Sequence, residues 1–278
     1  MRTRIRALIL WSLAGCLLTL ACVALGATQQ GEEKLLSPDL PAPVLTPEPP
    51  AQPPPKAATL SLTDRADIFM ARKSYSDAVD YYRRALTAAG RKDPPLWNKL
   101  GIAYQNLMNY AAARKAYKEA MRLDANFSEP WNNLGTTYYL NDKAKKSIKY
   151  YRQAIKLNPN SASYHTNLGT AYYQMKKFNE AVAEYQTAIT LDPNVLTEHA
   201  SVGTIMQARA ADARFFFYMA KVFASVGRAE EAVRYLRRAL EDGFSDQKLM
   251  DSDPDLKKIS EFPEYVELRK NPPKAIKE

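Results

Sequence analysis

The sequence predicts an all-α fold, a solenoid of stacked helical hairpins, and three observations carry that expectation. The first is self-similarity at a spacing of 34 residues. Trp97-x-x-Leu100-Gly101-x-x-Tyr104 returns as Trp131-x-x-Leu134-Gly135-x-x-Tyr138 and as His165-x-x-Leu168-Gly169-x-x-Tyr172. The second is that the other half of each unit repeats in step, as Ala113, Tyr117, Ala120, then Ser147, Tyr151, Ala154, then Ala181, Tyr185, Ala188. The third is local periodicity. Within 129–141 the apolar and small positions recur at three- and four-residue steps, which gives one buried helical face. A composition of 46% hydrophobic and 25% charged residues over 278 positions is that of a folded chain with ample core.

The first element in chain order is a leader. Arg2, Arg4 and Arg6 precede an apolar run from Ala7 to Ala27, the charge-then-apolar order of a secretory signal. Three fates are open to residues 1–27. The small residues Ala24, Gly26 and Ala27 suit cleavage. A run of about 20 apolar residues is also long enough to be retained as a membrane anchor. Finally, Leu13-Ala14-Gly15-Cys16 resembles a bacterial lipobox, with a weaker match ending at Cys22, so either cysteine is a candidate for lipidation. Each fate places the body outside the cytoplasm, in the periplasm or on the outer face of the cytoplasmic membrane. Cys16 and Cys22 are the chain's two cysteines, so the body can form neither a disulfide nor a thiolate metal site.

Residues 28–58 follow as a spacer. Half of the chain's 18 prolines fall between Pro38 and Pro55. Proline at that density supports neither helix nor sheet ladders, and an extended polyproline-like stretch of about 3.1 Å per residue would reach roughly 55 Å.

The hairpins occupy residues 59–246. A more degenerate unit precedes the three clear ones, with Ala66, Phe69, Tyr75, Ala78, Tyr82 and Ala85 in matching roles. Another follows from about Ala213, with Phe216, Met219, Ala220, Phe223, Ala232, Leu236 and Ala239. Small residues such as Gly135 and Ala154 let the paired helices approach closely. Pro159 and Pro193 end two of the units, where the first has Ala125. One hairpin cannot cover its own apolar face, so neighbours must stack. Trp97, Trp131, Tyr104, Tyr138 and Tyr172 are therefore expected in packing roles, and His165, standing where the other units have tryptophan, is expected to face the core.

These landmarks resemble the tetratricopeptide repeat. The resemblance covers about two-thirds of the chain and implies a right-handed superhelical solenoid of about five hairpins, with a concave groove lined by the first helix of each. Carried over residue by residue, the groove positions are Asn98, Ile102 and Gln105; Asn132, Thr136 and Tyr139; Thr166, Thr170 and Tyr173. Asn133 and Asn167 stand where some relatives carry an asparagine ladder that grips peptide backbone, and Lys99 interrupts that ladder. Amides and hydroxyls both donate and accept, which suits an extended peptide or a helix as ligand. Chaperone-binding relatives clamp a C-terminal carboxylate with a first lysine, which Asn98, Asn132 and Thr166 replace here.

Residues 196–212 fit no repeat. Ile205 to Val226 then reads as one long amphipathic helix with an aromatic centre, Phe215-Phe216-Phe217-Tyr218. That centre is either core for the last hairpin or, through Phe215, Phe217 and Tyr218, a second contact surface. Residues 247–278 form a cap and tail, with Leu249, Leu256, Ile259 and Phe262 covering the end of the solenoid.

Chemistry is sparse. The histidines are His165 and His199, and no metalloprotease, nucleophile-elbow or phosphate-loop motif occurs. No cofactor, metal or small-molecule substrate is expected. The net charge of +9 favours anionic partners, but the cations are spread over every repeat and interleaved with acids, so nucleic acid is not expected. The sequence therefore reads as a non-catalytic scaffold of the bacterial envelope that binds protein partners. Its alternatives are an accessory subunit of an envelope enzyme and a carrier of an anionic envelope polymer.

Overall fold

The computed structural model describes residues 60–196 and 212–276. The expectations for the leader, for Cys16 and Cys22, for the spacer, for His199 and for residues 197–211 lie outside them. Among the described residues there are thirteen helices and no strand. Ten helices pair as hairpins: α1 (Leu62–Ala71) with α2 (Tyr75–Ala88), α3 (Pro94–Asn106) with α4 (Tyr110–Leu123), α5 (Ser128–Leu140) with α6 (Ala144–Leu157), α7 (Ala162–Gln174) with α8 (Phe178–Leu191), and α9 (Ala213–Ser225) with α10 (Ala229–Glu241). Each second helix then packs on the first helix of the next hairpin. First helices of neighbouring hairpins also touch directly, α3 on α5 and α5 on α7, more closely than the second helices do, so the stack curves toward the first-helix side.

Local chemistry sets the helix ends. Asp93 caps α3 by accepting from the Leu96 N–H at 2.9 Å, with Pro94 pre-set at the first helical position. Ser61 and Asp64 form a reciprocal capping box at α1. Every first helix stops in the same way. The N–H of Ser74, Asn109, Lys143, Lys177 or Arg228 bonds back five residues, at 2.9–3.0 Å, across a residue of positive φ. That residue is Lys73, Met108, Asp142, Lys176 or Gly227. Three second helices end on a carboxylate or amide whose Oδ1 accepts the N–H two residues on: Asp124 from Asn126, Asn158 from Asn160, Asp192 from Asn194.

The core follows the repeat. Ala113, Tyr117, Ala120, Ser147, Tyr151, Ala154, Tyr185 and Ala188 are fully buried. The glycines chiefly serve the tyrosines: a methyl at Gly101, Gly135 or Gly169 would lie 2.4, 2.7 or 2.8 Å from the ring of Tyr117, Tyr151 or Tyr185, and at Gly169 it would also lie 3.2 Å from the Ala181 carbonyl oxygen of the opposing helix. Trp97, Trp131, Tyr104 and Tyr138 do pack, but half-buried at the margin of the core, because the second-helix tyrosines fill its centre. Tyr138 stacks on Tyr150 at 5.1 Å.

The expected single helix from Ile205 to Val226 does not run through Asp212. Asp212 has extended backbone, and its carboxylate accepts the Phe215 N–H at 2.7 Å, so α9 begins at Ala213. Beyond α10 the chain closes the stack with α11 (Gln247–Ser252), α12 (Pro254–Lys257) and α13 (Pro263–Lys270). Leu256 and Ile259 are buried there as expected, together with Met250 and Leu268, while Leu249 and Phe262 pack partly buried beside them.

Candidate functional site

The inner face of the curve is the candidate site, and hydrogen bonds join its side chains into one network. Asn167 on α7 donates Nδ2–H to Asn132 Oδ1 at 2.9 Å. Asn132 donates to Asn133 Oδ1 at 3.2 Å, and Asn133 donates to Asn98 Oδ1 on α3 at 3.0 Å. Four amides thus run head to tail across three repeats. The ladder expected to break at Lys99 steps instead to Asn98. Lys99 turns away and pairs with Asp67 of α1 at 2.6 Å.

A second row lies beside the first, at the position after each small helix-packing residue: Asp67, Ile102, Thr136 and Thr170. The tyrosine fifteen residues later reaches under the helix to this position. Tyr82 donates to Asp67 Oδ1 at 2.5 Å, Tyr151 to Thr136 at 3.2 Å and Tyr185 to Thr170 at 3.1 Å. Ile102 offers no acceptor, so Tyr117 donates to Gln105 Oε1 at 3.2 Å, and Gln105 also accepts from Thr137 at 2.9 Å. Burial pushes the phenols of Tyr117, Tyr151 and Tyr185 well above the usual tyrosine range, so they stay neutral donors.

The sequence-predicted groove residues divide on this basis. Asn98, Asn132, Asn133 and Asn167 form the ladder, and Gln105 and Thr136 are held by tyrosines. Thr166 and Thr170 donate back to their own helix, to Ala162 O at 3.0 Å and Thr166 O at 2.8 Å. Ile102 is half-buried, and Tyr139 belongs to the core. Tyr173 leaves the row. Its hydroxyl donates to Asp212 at 2.7 Å, and its ring packs on Phe178 and Phe215, both at 5.3 Å, and on Tyr218 at 6.3 Å. Two sets of residues that the sequence kept apart, the end of the groove and the aromatic helix, therefore meet in one cluster. Phe217 is not a contact surface. It is 0% exposed and stacks on Phe244 at 4.3 Å. Asp67 and Asp212 were not singled out from sequence, since each is an ordinary acid until its partner 32 or 39 residues away is placed beside it.

Family models described as tetratricopeptide repeat match residues 94–127 and 162–195, and one described as TPR repeat matches 143–176. No curated protein matches the chain. Among solved structures, MamA is 23% identical, with 66% of this chain and 98% of that one covered at a TM-score of 0.46. TTC0263, a thermophilic TPR protein of Thermus thermophilus, is 17% identical over 71% of this chain and 97% of its own, also at 0.46. YrrB, described as a TPR protein with an unusual peptide-binding site, is 17% identical over 69% and 89%, at 0.44. With its 34-residue landmarks, its stacked hairpins and these three matched stretches, the chain is a tetratricopeptide-repeat protein.

Proposed function

We propose that the chain is a non-catalytic scaffold of the bacterial envelope whose inner face binds a peptide or helix of a protein partner. The observation that carries this reading is the four-amide ladder. An asparagine amide both donates and accepts, and the head-to-tail chain fixes the direction of every group in it. A partner backbone laid across α3 and α5 would meet the pre-oriented amides of Asn98 (8% exposed), Asn132 (5%) and half-buried Asn133, with Asn167 as a fully buried brace behind them on α7, and little side-chain entropy would be left to lose. Export rests on the leader, whose arginines precede the apolar run. Because repeats of this kind serve generally as interaction modules, the inner face is read as a binding surface and not as an active site.

Site-specific photocrosslinking of the full chain in cells tests this. A photoreactive residue at Ile102, on the inner face, should give a discrete adduct with one protein, and the same residue at Lys118, exposed on α4, should not. Adducts at 118 alone, or none at 102 with the chain folded, would overturn the inner-face reading. Fractionation of the same cells tests the envelope location, and recovery of the chain with the cytosol would overturn it.

A further inference from the structure

The second helices differ sharply in charge. Acids appear on α2, α4, α8 and α10, whereas α6 carries Lys145, Lys146, Lys149, Arg152 and Lys156 and no carboxylate. Lys145, Lys149, Arg152 and Lys156 are spaced i, i+4, i+7 and i+11, which places them in one stripe about 16 Å long. Among the described residues none of Lys145, Lys149 and Lys156 forms an ion pair, and like charges one turn apart repel by roughly 0.2–0.5 kcal/mol per pair.

The stripe borders a cavity. Between α6 and the end of α7 lies a recess of about 750 Å³ whose apolar lining is Ile148, Tyr172 and Met175. Arg152 donates to the Tyr172 hydroxyl at 2.5 Å and lies 5.7 Å from the centre of its ring, and Lys177 lies 5.9 Å from the same centre. Met175 is 41% exposed there. A neighbouring recess of about 440 Å³ shares Lys145 and Met175 with it and adds Lys143 and Lys146 beside one acid, Asp142. Of the cations along the larger recess, Lys177 meets a carboxylate, Glu180 at 3.3 Å, and both groups are half exposed.

We infer that this outer groove is a second docking site, for an acidic amphipathic peptide segment of a protein partner. The cations fit carboxylates repeated at helical spacing, and the recessed apolar floor fits one or two large apolar side chains between them. A bare polyanion would leave that floor unused, and a flat bilayer would not enter a recess between helices. The site lies on the second-helix side and does not depend on the inner-face reading.

The test is fluorescence anisotropy of a labelled twenty-residue helical peptide carrying glutamates and leucines on one face, titrated with the full chain. Binding should weaken steeply between low and physiological salt. It should fall at least tenfold in the double variant Lys149→Glu, Arg152→Glu, and several-fold in Met175→Ser, with unchanged circular dichroism in both. Polyphosphate of matched charge and phosphatidylglycerol vesicles serve as the other arms. Peptide binding that is absent, or equal in the reversed variant, overturns the proposal. So does polyphosphate or vesicle binding of equal strength that ignores Met175→Ser, because the groove would then be a plain anion surface. An Ile102 crosslink that survives charge reversal leaves the inner-face reading intact whichever way this one falls.

Discussion

The Nε2–H of His165 donates to the carbonyl oxygen of Pro159 at 3.0 Å, and this is the bond that tryptophan makes in the two preceding repeats. Trp97 donates its indole N–H to Arg91 O at 3.0 Å and Trp131 to Ala125 O at 3.2 Å, each six residues back. The position thus asks for a flat ring with an N–H that ties the start of one hairpin to the end of the previous one. Histidine meets that demand and adds a second contact, from Nδ1 to the Glu184 carboxylate at 2.7 Å.

A pH dependence follows. A carbonyl and a carboxylate both only accept, so the ring is best served when both nitrogens carry protons. The Glu184 hydrogen bond is the main cause that raises the His165 pKa above the ordinary histidine value; burial opposes it, and the Pro159 bond adds to it. The unfolded chain titrates near pH 6.5 (about the ordinary histidine value) and the folded one higher. The stabilisation is therefore fully present below about pH 6.5 and lost as pH rises through the folded value. Melting temperature should fall over that interval in the native chain and should fall less in Glu184→Gln. A histidine resonance that titrates at or below the ordinary value would refute the assignment.

Gly135 and Tyr151 make the second prediction. A methyl on Gly135 would sit 2.7 Å from a fully buried ring whose hydroxyl is tied to Thr136, so the ring cannot swing clear. Overpacking of this kind costs about 1–3 kcal/mol, partly offset by roughly 1 kcal/mol of better helix propensity. The first hairpin carries Ala66 at the same place, buried above Tyr82, so the packing can be built around a methyl. The net cost of Gly135→Ala is expected at about 1 kcal/mol, read as a lower denaturation midpoint. Gly135→Leu should cost several times more.

The repeat was legible in the sequence because tyrosine, glycine and alanine recur at a fixed spacing for a packing reason. The network on the inner face was legible only in part. The amide positions could be named, but whether Lys99 broke the ladder depended on Asp67 lying across the hairpin boundary, a pairing no local pattern announces. The sequence also kept Tyr173 apart from Phe215 and Tyr218, because residues 196–212 between them follow no repeat. The basic stripe is a different case. Its residues stand in plain order on α6, and they are lost in a whole-chain count because acids on the other second helices dilute them.

Asp253 holds the cap on the solenoid. Its carboxylate accepts from the Asp255 and Leu256 N–H groups at 3.0 and 3.1 Å and pairs with Lys221 of α9 at 2.7 Å, with both side chains largely buried. Removing one partner of a buried pair typically costs about 3–5 kcal/mol, because the other charge is left without compensation. Asp253→Ala is expected at the lower end, since Lys221 can relax toward solvent. Asp253→Asn keeps the helix cap and should cost less. Hydrogen exchange should show the loss first in residues 247–270, with the hairpins α3 to α8 protected as before. Uniform loosening along the stack would contradict this local role.

The first-helix turns give a prediction of opposite sign. Met108 has φ of 56° and is 75% exposed, so its side chain contributes little packing while its backbone sits in the left-handed region. That conformation costs a non-glycine residue about 1–2 kcal/mol. Glycine removes the strain but loses roughly 0.5–1 kcal/mol more chain entropy on folding. Met108→Gly should therefore stabilise the chain by about 0.5–1 kcal/mol. The last hairpin supplies the reverse experiment, because Gly227 occupies the same turn with φ of 78° and open space where a side chain would go. Gly227→Ala should destabilise by a similar amount, the same backbone strain less the same entropy difference. Equal and opposite shifts in denaturation midpoint would show that the turn conformation, and not the identity of either side chain, sets the energy. Shifts of the same sign would show that it does not.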